Sequence, residues 1–71
     1  MKRVVLLDLI AATAREHGVT FAFIREGGDH EIWALDGLRI PIPRHREVGE
    51  MTTRRILRSL EPRFGRRWWQ R

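Results

Sequence analysis

The chain has no cysteine, which rules out disulfides, thiolate metal sites and a thiol nucleophile, and points to the reducing cytoplasm. No run comes near the roughly 18 apolar residues of a membrane-spanning helix, so no membrane partner is expected. Met1, Lys2 and Arg3 precede an apolar stretch, but Asp8 interrupts it. Arg15, Glu16 and His17 then stand where a small-residue cleavage site would be, so no signal peptide is read. Repeats, linkers and long polar tracts are missing too. The three histidines and the nearby aspartates have no recognisable ligand spacing, which leaves neither a metal site nor a cofactor to expect. At 71 residues the chain builds one domain at most, since a domain near this size buries only about 60% of its unfolded surface.

What is present is charge, unevenly placed. Hydrophobic residues make up 42%, the composition of a folded unit, and the net charge is +5. Residues 1–43 hold five cations against six anions, whereas residues 44–71 hold nine arginines against three glutamates. Such a skew calls for a polyanionic partner, nucleic acid or an acidic protein. Thirteen of the fourteen cations are arginine, whose planar fork suits bidentate phosphate contacts.

Hydrophobic periodicity divides the chain into five elements. Val5, Leu6, Leu9, Ile10, Ala12, Thr13 and Ala14 recur at helical intervals over residues 4–17, with Gly18 as the stop. Residues 19–25 alternate as a strand, with Phe21 and Phe23 on one side. Gly27-Gly28 marks a turn, residues 30–35 a second strand, and Asp36-Gly37 a tight hairpin. Leu38, Ile40 and Ile42 form the inward face of a third strand. Pro41 and Pro43, which cannot donate to a ladder, place that strand at an edge. A loop comes next, then a helix capped at Thr52 or Thr53, carrying Ile56, Leu57 and Leu60, and ended by Pro62. The fold class is α+β in the order α-β-β-β-α: a three-stranded antiparallel sheet with two helices on one face, the order of double-stranded-RNA-binding domains. Fold alone says nothing of function.

Three blocks carry a family likeness. They are Arg25-Glu26-Gly27-Gly28-Asp29-His30-Glu31-Ile32-Trp33, then Ile40-Pro41-Ile42-Pro43-Arg44-His45-Arg46-Glu47, then Met51-Thr52-Thr53-Arg54-Arg55-Ile56-Leu57. In that order and spacing the chain resembles HicA toxins of type II toxin-antitoxin systems. The resemblance implies a fold like the double-stranded-RNA-binding domain, endoribonuclease (mRNA interferase) activity with His30 catalytic, and neutralisation by a HicB-like antitoxin. Asp29 stands where the family usually has serine or asparagine. The likeness spans about residues 7–60, which divides the chain into a HicA-like domain, 1–61, and a basic aromatic tail, 62–71.

The chemistry fits the residues. Metal-independent RNA cleavage needs a base for the 2′-hydroxyl proton, an acid for the leaving oxygen and cations for the charged phosphorane. Histidine serves near neutrality and contributes about 10²- to 10⁴-fold. His30 comes after a glycine pair, where backbone can approach a substrate closely. Alternatively, because it shares parity with Ile32 and Ala34, it is a hydrogen-bonded histidine at the core margin. His45, between Arg44 and Arg46, is a second acid, a phosphate contact or a solvated side chain, and His17 meets the end of its helix. Gly27-Gly28 lacks the spacing of a phosphate loop. Arg54, Arg55 and Arg58 give a helix a basic face for RNA phosphates. Trp68 and Trp69 stack on unpaired bases, pack back over the core or dock the antitoxin, while Trp33 is structural. Two other function classes remain: a non-catalytic RNA-binding module on the same fold, and a protein whose basic surface meets an acidic partner.

Overall fold

A computed structural model of the chain describes residues 1–70. The elements run α1 (Arg3–His17), β1 (Phe21–Gly27), β2 (His30–Leu35), β3 (Leu38–Pro43), α2 (Glu50–Ser59) and α3 (Glu61–Phe64). The α-β-β-β-α order stands, with a short third helix added at the end. Both long helices contribute to one core against one face of the sheet, and no helix of the described residues is long and apolar enough to cross a membrane.

In α1 the buried residues Leu6, Ile10, Thr13 and Ala14 form a narrow stripe, while Val5 stays exposed. Gly18 ends the helix in the left-handed region at φ 66°, where a side chain would be strained, and its N–H closes the last turn. The strands form an antiparallel meander in the order β1-β2-β3, which leaves β3 at an edge, as its prolines require. Asp36 and Gly37 take positive φ values of 48° and 84°, the combination a two-residue hairpin needs. Register pairs Phe21 with Leu35, Trp33 with Ile40 and Leu35 with Leu38, so these share the helix-covered face. Phe21 stacks on Trp33 at 4.7 Å, giving that tryptophan a packing role. The alternation expected of β1 breaks at Ile24, where the register slips between Phe23 and Arg25. A bulge of this kind leaves one residue unpaired and bends the strand, which re-aims the side chains beyond it.

Two sequence expectations need correction. First, α2 begins at Glu50 with Gly49 at the cap, and neither Thr52 nor Thr53 caps it. Thr53 sits buried inside the first turn, its hydroxyl donating to the Val48 carbonyl at 3.3 Å, because the preceding loop is already held by the chain's start. There Val48 and Met1 exchange backbone hydrogen bonds, and Arg3 N–H donates to the Arg46 carbonyl. Second, Pro62 does not end α2. It sits in the first turn of α3, where its missing N–H leaves no bond unmade, and α2 closes earlier at Leu60.

Residues past 61 also reach the core. Phe64 and Trp68 are buried, Trp68 donating its indole N–H to the Leu57 carbonyl at 2.8 Å and meeting Phe64 edge-on. His17 lies against Phe64 at 5.0 Å and contacts the Thr13 carbonyl, so it joins the helix end to this cluster. Of the residues 62–71 read as a tail, Arg71 lies outside the described residues.

One polar cluster interrupts the covered face. Glu31 accepts from the Arg3 guanidinium and from the Trp33 indole, while Arg3 Nε donates to the Pro43 carbonyl. Both charges of the ion pair are mostly buried, so its loss leaves a guanidinium with poor access to water. Glu31→Ala is expected to lower stability by about 1–3 kcal/mol, read as a lower urea midpoint; an unchanged midpoint would mean the pair contributes nothing.

Candidate active site and basic surfaces

His30 opens β2 directly after the turn at Gly28 and Asp29, where Gly28 has a positive φ of 67°. It pairs with Pro43 and is exposed. Its parity is that of Ile32 and Ala34, opposite to Trp33 and Leu35, and the core lies on the other side of the sheet. The alternative of a core-margin histidine is therefore not what the fold builds. Instead His30 lines a groove of about 200 Å³ beside the edge strand, with Ile40, Pro41 and Pro43 on one wall and Thr52, Arg55, Ile56 and Ser59 of α2 on the other. Helical spacing puts residues 52, 55, 56 and 59 on one side of α2. That spacing also marks Thr52 and Ser59 as groove residues that the search for acids, bases and cations passes over.

The groove combines an imidazole, a guanidinium and hydroxyl-bearing residues over an apolar floor. Asp29, the residue before His30, is also exposed and is not among the groove's lining residues.

Six of the seven candidate residues divide among three places. Arg55 joins His30 in the groove. Arg54 and Arg58, one turn apart, line a cleft of about 440 Å³ with Glu61, Arg66, Arg67, Trp69 and Gln70. Arg54, Arg55 and Arg58 also border a shallow depression with the exposed Met51, so a row of arginines on α2 connects groove and cleft. Arg44 and Arg46 lie elsewhere, around a hollow shared with Lys2, Arg3 and Val4 at the start of α1. Arg44 is engaged by the turn before His30: its guanidinium meets the Gly28 carbonyl at 3.1 Å and Glu26 at 3.2 Å, and its N–H donates to the Asp29 carbonyl. This ties the loop after β3 to the turn that presents His30. His45 is exposed between the two arginines. Among the described residues no three histidine, aspartate or glutamate side chains gather as a metal-ligand set.

No protein-family model, curated protein or solved structure matches the chain.

Proposed function

We propose that the chain is a metal-independent endoribonuclease that cleaves mRNA in the cytoplasm as the toxin of a toxin-antitoxin pair. The observation that carries this reading is the placement of His30: exposed, at the head of a strand, facing a groove whose far wall holds Arg55. In the reaction the 2′-oxygen attacks the adjacent phosphorus, its proton passes to a base, and the bond to the 5′-oxygen breaks as that oxygen is protonated. His30 is the general acid/base, and Arg55 stabilises the charge that builds on the phosphorane. The other arginines of α2 hold the neighbouring phosphates. A HicB-like antitoxin is the proposed protein partner, supported by the family likeness and by a groove open to being covered.

The direct test is incubation of the purified chain with RNA in the presence of a chelator. Cleavage is expected to persist, leaving cyclic-phosphate and 5′-hydroxyl ends. Activity abolished by chelator and restored by a divalent ion would overturn the metal-independent route.

Asp29 favours a second reading, a non-catalytic RNA-binding module, because a carboxylate on the residue next to His30 repels a phosphate. Binding without any cleavage would select it.

A further inference from the structure

The paired tryptophans near the end of the chain have different environments. Trp68 is buried, whereas Trp69 is only half-buried and lines the cleft shared with Arg54, Arg58, Arg66 and Arg67. Its ring meets Trp68 at 86° and 6.0 Å, a perpendicular contact that occupies at most one face of the indole. None of the four arginines makes an ion pair among the described residues. Glu61, the one carboxylate that lines the cleft among the described residues, accepts the backbone N–H of Arg67 at 2.8 Å and so helps to hold the turn in which Arg67 takes a φ of 52°. Among the described residues, four cations, one carboxylate and one aromatic face thus surround a space of about 440 Å³, within the roughly 300–1,000 Å³ of small-ligand clefts.

We propose that this cleft is a second RNA subsite, in which Trp69 stacks on an unpaired base while Arg54, Arg58, Arg66 and Arg67 hold the flanking phosphates. It rests on the reading that the chain handles RNA, and extends it beyond the groove at His30. The basic surface of α2 joins the two places, so one single strand passes from His30 across Arg55 to Trp69. Base stacking with backbone-tracking cations is how single strands are bound without sequence readout. An acidic peptide would use the arginines but gain little from an indole face, so RNA fits the cleft better.

The test uses fluorescence anisotropy with cleavage-resistant 2′-O-methyl oligonucleotides of about four and about ten nucleotides. The longer one is expected to bind more tightly, because it alone reaches both places. In Trp69→Leu the ratio of the two affinities should fall about tenfold. Arg66→Gln combined with Arg67→Asn should lower the same ratio and reduce the salt slope of the longer oligonucleotide by about two phosphate contacts. Asparagine is chosen at 67 because it tolerates a positive φ. These exposed charge changes keep the test decisive if Trp69→Leu lowers stability, which circular dichroism reports. An unchanged ratio in the charge variant would overturn the subsite, as would displacement of the longer oligonucleotide by oligoglutamate more readily than by unlabelled RNA. Length-dependent binding through Trp69 and the arginines with no RNA cleavage would uphold the subsite and remove the nuclease reading. Cleavage with an unmoved ratio would do the reverse.

Discussion

His30→Ala is expected to lower RNA cleavage by about 10²- to 10⁴-fold, the contribution of a positioned acid/base group. That is equivalent to raising the barrier by about 3–5 kcal/mol. The fold should barely respond, since His30 is exposed and surface substitutions usually change stability by no more than about 0.5 kcal/mol. Oligonucleotide affinity should hold as well, because the cations of α2 remain. The loss should therefore fall on turnover while binding stays near its original value. Asp29→Asn makes the complementary test: removing the carboxylate of the residue next to His30 should tighten substrate binding and leave cleavage dependent on His30. Cleavage undiminished in the folded His30→Ala protein would overturn the assignment.

Trp68→Ala is expected to unfold much of the protein at 37 °C. Removing a buried aromatic side chain costs about 3–5 kcal/mol, and here it also strips the Leu57 carbonyl of its indole donor. A single core of this size rarely supplies more than about 3–5 kcal/mol in total. The expected readings are a urea midpoint shifted far down and a thermal transition lost or greatly lowered. If residues 62–71 formed a solvated tail, the same substitution would leave both transitions in place.

The sheet is the most legible part of the sequence, because its signals are local. Asp36-Gly37 predicts a tight turn and the backbone adopts it, residues 30–35 coincide with β2, and Pro41 and Pro43 place β3 at an edge. The bulge at Ile24 has no signature in side-chain alternation, since Phe21, Phe23 and Ile24 are all strand-forming and apolar. The start of α2 is obscured by two threonines with cap chemistry, while the backbone pairing of Met1 with Val48 delivers the chain to a helix cap at Gly49, ahead of both threonines. Charge alone makes one cluster of Arg44, Arg46, Arg54, Arg55 and Arg58. Only the fold separates them into groove, cleft and hollow, because the separation depends on which side of α2 each residue occupies and on where the loop after β3 turns. Trp68 and Trp69 are adjacent in sequence and chemically identical, so their division into core and cleft is a tertiary fact.

The participation of Trp68 in the core bears on how the chain acquires its structure during synthesis. Two short hairpins made of neighbouring segments can form on the microsecond scale as soon as they emerge, and contacts of short sequence separation carry little loop-closure cost. The apolar face of that meander, which α1 alone can cover only in part, nevertheless lacks its second helix until α2 and the turn beyond it are free of the ribosome. Until residue 68 has emerged, the nascent chain has its hairpins but lacks the closing side of its core. The sheet is then a platform in waiting, and the groove at His30 acquires its second wall only when synthesis is nearly past it.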